Sequence, residues 1–166
     1  GTLTAEAYKS LEMVQAAGLK MIPVTGRSAG WCDHIARMWP VNGIVGENGA
    51  FYFFYDHKNK KLIKRFSSQK LTSKKYQNYL HKIATEIINK VPGSALASDQ
   101  HYRVSDIAID FCEDVEPLSD IQIKAIVKIM EDGGLTVKVS SIHVNGWLGK
   151  YNKLYMTKTL MKECFQ

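Results

Sequence analysis

The stretch Met21-Ile22-Pro23-Val24-Thr25-Gly26-Arg27-Ser28 joins an apolar run to a polar turn directly before a helical segment. Residues 21–24 are continuously apolar, as buried parallel strands are. The turn that follows offers a hydroxyl, backbone N–H groups and a guanidinium, which can hold an anion through two hydrogen bonds. The pattern predicts a phosphate-sized site at the carboxyl end of a strand.

The segments around this stretch alternate between helical and extended patterns. Helices are expected over about 5–17, where Gly18 supplies a stop signal, and over about 29–38 before Pro40. A short strand over 43–46 leads into a turn. The alternation predicts a doubly wound, Rossmann-like parallel sheet, whose ligands gather at the carboxyl ends of the strands.

From about residue 51 the pattern changes to half-buried strands and two long helices. A hairpin is expected over 51–55 and 61–66. The remaining predicted elements are helices over 73–90 and 118–131 and strands over 105–111, 135–139 and 141–144. Strands that alternate in polarity, with two helices on one face, predict an α+β sandwich.

The chain of 166 residues carries a formal net charge of +6, and the charge is unevenly distributed. Ten Lys or Arg residues and one acid, Glu86, lie between residues 57 and 90. We interpret this segment as the solvated face of an amphipathic helix, with attraction of anionic substrates as an alternative and nucleic-acid binding as a third. We expect neither a nucleic acid nor a membrane as partner.

Cysteine usage and hydropathy place the chain among globular proteins. The three cysteines are widely spaced, which disfavours a disulfide framework or a zinc site and favours a reduced, cytoplasmic location. No apolar run is long enough to span a membrane, and no signal peptide is visible. The motifs of P-loop kinases, serine hydrolases and zinc proteases are missing from the sequence.

The opening stretch, together with Gly1-Thr2-Leu3-Thr4, Asn48-Gly49-Ala50 and Lys153, resembles the haloacid dehalogenase (HAD) superfamily of aspartyl-phosphate phosphatases. The family's first motif reads Asp-x-Asp-Gly-Thr-Leu, so the resemblance implies that two catalytic aspartates precede Gly1. It also implies that an acidic fourth motif, which helps to hold Mg²⁺, follows Gln166. The chain then corresponds to the middle of a phosphatase, and we expect this fragment alone to be inactive.

Two further segments, 102–111 and 140–145, resemble the cap domain of one branch of the superfamily. That branch includes sucrose-phosphate phosphatase and mannosyl-phosphoglycerate phosphatase. The resemblance implies a partial HAD core over 1–56 and 146–166, with an α+β cap domain over 57–145 inserted between them.

The resemblance also implies roles for individual residues. Thr25 would hold the transferring phosphoryl group by its hydroxyl and Gly26 by its backbone, while the backbone of Gly1 and Thr2 would line the same site. Lys153 would neutralise the phosphate and the nucleophile. The structural alternative for Thr25 is that it only caps a helix. The alternative for Lys153 is that it is a surface lysine and that the nearby Lys150 has the catalytic role.

The expected substrate-binding residues fall into two groups. In the core, Arg27 either binds the substrate or pairs with a carboxylate at the helix start. Asn48 and Gly49 either border the substrate or only make a tight turn. The cap residues expected to read substrate hydroxyls are Arg103, His143 and Asn145. His143 could equally be a packed structural histidine.

The resemblance therefore implies a Mg²⁺-dependent phosphatase that acts on a small phosphorylated metabolite, with a sugar phosphate as the expected class. Its intermediate would be an aspartyl-phosphate on a nucleophile upstream of Gly1. The alternative is a non-catalytic module that binds phosphorylated ligands or a partner.

Overall fold

The computed structural model describes residues 2–166 and divides the chain into two compact units. The first unit runs to Ser68 and also includes Tyr151–Gln166, and the second unit is Gln69–Lys150. The expected start of the cap, at residue 57, falls inside a hairpin that belongs entirely to the first unit.

The first unit begins with two helices whose bounds match the sequence-based expectation. Helix α1 spans Ala5–Ala16 and is capped by the Thr4 hydroxyl, which accepts from the Ala7 N–H at 3.1 Å. Helix α2 spans Ala29–Met38 and buries one face, as its strongly amphipathic sequence predicts.

The first sheet consists of β1 (Ile44–Gly46), β2 (Phe51–Asp56) and β3 (Lys61–Phe66). The strands pair antiparallel in the order β1-β2-β3, so the predicted hairpin is confirmed. Helix α5 (Lys153–Phe165), which the sequence analysis did not predict, packs Met156 and Leu160 against Val45 and Tyr52 of this sheet.

The strand expected over residues 21–24 is reduced to one parallel bridge, between Val24 and Val45. The Val45 N–H donates to the Pro23 carbonyl and the Thr25 N–H to the Val45 carbonyl, both at 2.9 Å. A next bridge toward the N-terminus would need an N–H on Pro23, which proline lacks. The segment therefore runs alongside β1 without forming a ladder, and both sheets within residues 2–166 are antiparallel.

The second unit is an α+β sandwich, as predicted. Its elements in chain order are α3 (Lys74–Lys90), β4 (Ala95–Leu96), β5 (Ile107–Asp110), α4 (Asp120–Asp132), β6 (Thr136–Val139) and β7 (His143–Trp147). The strands form an antiparallel sheet in the order β4-β5-β7-β6. Ile107, Ile109 and Val144 of the sheet pack against Ile83 and Ile126 of the two helices in one core.

Among the described residues, no helix combines the length and the apolar character that crossing a membrane requires.

Candidate phosphate-binding site

The loop Thr25–Ser28 lies directly after the bridge to β1 and leads into α2. Thr25 is half-buried, and its Oγ1 accepts from the Arg27 N–H at 3.1 Å. Because a hydroxyl has one proton as well as its lone pairs, this bond leaves the Thr25 proton for another acceptor. Ser28 occupies the N-cap position of α2 but makes no capping hydrogen bond through its side chain.

A turn formed by Glu47, Asn48 and Gly49 packs against this loop. The Asn48 N–H donates to the Thr25 carbonyl at 3.3 Å, and the Glu47 N–H donates to the Arg27 carbonyl at 3.1 Å. A Cβ atom on Gly26 would lie 3.0 Å from Asn48 Oδ1, so the Asn48 amide packs directly on the Gly26 backbone. The structure thus brings four predicted site residues, Thr25, Gly26, Asn48 and Gly49, into one cluster in which Asn48 and Gly49 are buried.

The same turn contacts the N-terminus of α5, where Lys153 is the first helical residue. Gly49 has φ = +101°, and a Cβ atom there would lie 2.2 Å from the Asn152 carbonyl oxygen and 2.6 Å from the Lys153 nitrogen. Only glycine permits both this backbone conformation and this approach. The exposed Lys153 is therefore anchored next to the turn that holds the Thr25 loop.

The remaining predicted core residues stand as follows. Gly1 lies outside the described residues, and Thr2 is exposed just before α1. Arg27 is exposed at the start of α2 and forms no ion pair within residues 2–166. Lys150, the alternative to Lys153, is the last residue of the second unit and is also exposed.

In the second unit, Arg103 lies in a buried ion-pair cluster. Its guanidinium is 3.0 Å from Asp99 Oδ1 and 3.0 Å from Asp106 Oδ1, and the Arg103 side chain is only 2% exposed. Burial opposes the charged form, but Asp106 and Asp99 outweigh it and hold the pKa of Arg103 above its usual value. These contacts commit the guanidinium to two carboxylates of its own unit.

His143 and Asn145 lie on β7 and pair in register with Asp110 and Ala108 of β5. The buried His143 places Nε2 2.8 Å from Glu113 Oε2. Burial would raise the pKa of Asp110, but backbone N–H groups from residues 112–114 and the adjacent His143 hold it below its usual value. Arg103 and His143 therefore make their polar contacts at opposite ends of β5.

The carboxyl groups of the described chain do not fit a magnesium site. Within residues 2–166 there is no group of three or more His, Cys, Asp or Glu side chains that could hold a metal ion. The carboxyl group next to the Thr25 loop is that of Glu47, and its Oε1 accepts from the Ala29 N–H at 2.8 Å.

Sequence reasoning missed two features of this site. Nothing local shows that the Glu47 carboxyl group caps a helix that begins 18 residues earlier. The contact between Gly49 and the start of α5 was missed as well, although Asn152 is a favoured N-cap residue and does accept from the Tyr155 N–H at 2.9 Å. An Asn before an apolar i, i+4 pattern was the available signal.

No family model and no curated protein matches this sequence. Among solved structures, the C-terminal domain of trehalose-6-phosphate phosphatase from C. albicans aligns with 96% of this chain and 53% of its own, at 16% identity and a TM-score of 0.71. Sucrose-phosphatase from Synechocystis sp. PCC6803, in complex with sucrose and phosphate, aligns with 98% of this chain and 65% of its own, at 15% identity and a TM-score of 0.59. A HAD subclass IIB sugar phosphatase covers 97% of this chain and 68% of its own, at 12% identity and a TM-score of 0.59. This chain has the HAD fold.

The HAD fold confirms the mixed α/β class and the resemblance expected from the sequence. The chain spans about half to two thirds of the length of these HAD-fold proteins. At such low identities the likeness establishes the fold alone, and the roles of the site residues stay predictions.

Proposed function

We propose that the chain belongs to a HAD-type phosphatase that hydrolyses a small phosphorylated metabolite, with a sugar phosphate as the substrate class. One observation carries the proposal: the Glu47–Gly49 turn holds the Thr25–Ser28 loop on one side and the N-terminus of α5, with Lys153, on the other. Because one turn contacts both segments, we expect the Thr25 hydroxyl, the loop backbone and Lys153 to act on the same phosphoryl group.

In this proposal each residue has a defined task. The Thr25 hydroxyl donates its proton to a phosphoryl oxygen, since its lone pair already accepts from the Arg27 N–H. Gly26 lets the phosphoryl group approach the backbone closely, because it carries no side chain. Lys153 offsets the negative charge that the phosphoryl group and an attacking carboxylate share.

Further parts of the proposal rest on the HAD resemblance rather than on contacts of this chain. The nucleophile is an aspartate upstream of Gly1, and the intermediate is an aspartyl-phosphate. The resemblance makes Mg²⁺ the expected cofactor, with its acidic ligands outside residues 2–166, and when bound it would offset charge on the phosphoryl oxygens. Residues 2–166 themselves supply no group of three metal-ligating side chains. We infer that the second unit, Gln69–Lys150, corresponds to the cap expected over 57–145. A cytoplasmic location stays a prediction from cysteine usage.

The proposed substrate class is supported by the names of three solved HAD-fold structures that resemble this chain. One is a trehalose-6-phosphate phosphatase, one a sucrose-phosphatase and one a sugar phosphatase. We expect substrate hydroxyls to be read by residues of the second unit, with Asn145 and His143 of β7 as candidates. Arg103 is the weaker candidate, because its donors bind Asp99 and Asp106.

The proposal is tested by phosphate release from p-nitrophenyl phosphate by the full-length protein with Mg²⁺. We expect Lys153→Met to lower kcat/KM by about 10²-fold, as the loss of one charge-stabilising group does. Lys150→Met is the matched control and should retain the wild-type rate. Equal losses in both variants would contradict the assignment of Lys153.

Phosphate release and an NMR titration with inorganic phosphate together separate the phosphatase from a non-catalytic phosphate-binding module. A phosphatase releases phosphate from p-nitrophenyl phosphate or from a panel of sugar phosphates. A binding module shifts the amide resonances of Thr25 and Gly26 when inorganic phosphate is added but releases none. An absence of both turnover and binding would overturn both proposals.

A further inference from the structure

The Glu47 carboxyl group is buried in the first unit, and it serves a helix that is distant in sequence. Its Oε1 accepts from the N–H of Ala29, the first residue of α2, at 2.8 Å. The first N–H groups of a helix have no partner within the helix, and the N-cap side chain normally supplies one. Here the Ser28 side chain makes no such bond, and Glu47 supplies an acceptor to the first amide of the helix.

Glu47 also holds the residue on the other side of Ser28. Its backbone N–H donates to the Arg27 carbonyl at 3.1 Å. A single residue therefore fixes the positions before and after Ser28, one by its main chain and one by its side chain. The end of the Thr25–Ser28 loop has little freedom to move independently of the turn.

The backbone of the turn indicates that this arrangement is held against a conformational cost. Glu47 has φ = +38° and Asn48 has φ = +57°, and the cost falls on Glu47, because Asn adopts the left-handed region more readily than other residues with a side chain. Such conformations persist only where surrounding contacts determine them, and they are frequent at functional sites. The contacts of Glu47 with Arg27 and Ala29 are of this kind.

We propose that Glu47 is a positioning residue, which holds the Thr25–Ser28 loop in the geometry that binds the transferring phosphoryl group. The inference rests on the proposed function and adds a residue to it. Groups that stabilise a transition state act only when they are fixed in place beforehand. Glu47 does not touch the substrate, and it acts through the loop.

The experiment compares Glu47→Ala and Glu47→Gln in the full-length protein with p-nitrophenyl phosphate. Glutamine keeps an acceptor oxygen for the Ala29 N–H, whereas alanine removes it. We expect Glu47→Ala to lower kcat at least about tenfold, with a much smaller change in KM, because misplaced loop groups are lost mainly from the transition state. Glu47→Gln should restore kcat to within about threefold of the wild-type value.

Ser119→Ala is the matched control for a lost helix cap. Ser119 caps α4 in the second unit, where its hydroxyl accepts from the Gln122 N–H, and this variant should be less stable with an unchanged kcat. A Glu47→Ala protein that is less stable but keeps its wild-type kcat would overturn the inference. So would a Glu47→Gln variant that is as slow as Glu47→Ala.

A measurement without substrate keeps this inference separable from the proposed function. Hydrogen exchange at the Ala29 amide should accelerate at least about tenfold in Glu47→Ala and stay near the wild-type rate in Glu47→Gln. Unchanged protection in Glu47→Ala would overturn the positioning role whether or not the protein is a phosphatase. If the wild type shows neither turnover nor phosphate binding while protection is lost as expected, the proposed function fails, and with it the phosphoryl-binding part of the inference.

Discussion

The Glu47–Gly49 turn of the first unit and the Asp99–Arg103–Asp106 cluster of the second are both buried polar structures, but different forces hold them. The turn depends on left-handed backbone and on an approach too close for any side chain at Gly49. The cluster depends on one guanidinium shared by two carboxylates in a region with little solvent.

Because different forces hold them, the two structures should lose stability through different substitutions. A backbone turn of this kind is disrupted when atoms are added, because there is no room for them. A buried charge cluster is disrupted when atoms are removed, because the charges left behind lose their partner. Atoms added at Gly49 and atoms removed at Arg103 should therefore damage the two regions.

The largest expected effect is that of Arg103→Met, which leaves Asp99 and Asp106 buried without their cation. Removing one partner of a buried ion pair costs about 3–5 kcal/mol. We expect this loss in the free energy of unfolding, measured by urea denaturation at neutral pH. Lys128→Met, which removes an exposed ion pair with Asp132 in the same unit, should change little. A wild-type midpoint for Arg103→Met would show that charge does not hold the cluster.

Gly49→Ala should have the next largest effect. The added methyl group would meet the Asn152 carbonyl oxygen, and φ = +101° is strained for alanine, so we expect a loss of about 3 kcal/mol. Gly18→Ala is the matched control, since Gly18 has φ = +76° but nothing within 4 Å of the added atom. It should cost only the backbone part, about 1 kcal/mol. Equal losses would mean that close approach plays no part.

Asp110→Asn tests whether charge also matters where backbone N–H groups surround a carboxylate. We expect a loss of about 2 kcal/mol at pH 7, because Asp110 accepts from the N–H groups of Cys112, Glu113 and Asp114. The pKa of Asp110 is lowered in the folded state from its usual 3.8. Its stabilisation is therefore complete above pH 3.8 and is lost as the pH falls through the lowered folded value.

The measurement is the free energy of unfolding of wild type and Asp110→Asn at pH 7 and at successively lower pH below 3.8. The difference between the two proteins should shrink in acid. A difference that stays constant would contradict a contribution from the carboxylate charge.

The smallest expected effect is that of Tyr52→Phe in the first unit. The Tyr52 hydroxyl donates to Glu163 Oε2 at 2.6 Å, and burial together with this acceptor raises the pKa of Tyr52. Loss of one such hydrogen bond should cost about 1 kcal/mol, measured by urea denaturation. A stability equal to the wild type would show that the bond exchanges with water at no cost.

The parts of the fold that local signals encode could be predicted from the sequence. Helix α2 was expected over 29–38 and spans Ala29–Met38, since an amphipathic pattern stops before Pro40. The prediction of a strand over 21–24 was wrong beyond a single bridge. The apolar pattern favoured a strand, but Pro23 has no N–H to donate to a ladder. The local sequence pattern predicts whether a segment is a helix or a strand better than it predicts which segment it will hydrogen-bond to.

The candidate site was predictable only in part, for a related reason. Thr25, Gly26, Asn48 and Gly49 carry recognisable motifs, and the structure places them side by side. The cap that Glu47 supplies depends on contacts between distant positions, which no local pattern reveals. Arg103 is a predicted substrate-binding residue, but the local sequence does not reveal that Asp99 and Asp106 bind its guanidinium.

The contact between Gly49 and Asn152 has a consequence for how the protein is made. It closes a loop of roughly 100 residues, and the second unit lies entirely inside that loop. During synthesis the second unit can fold as soon as Lys150 leaves the ribosome, whereas β1 and β2 must wait for α5 to complete their core. We therefore expect the inserted unit to fold before the core of the unit that surrounds it in the chain is complete.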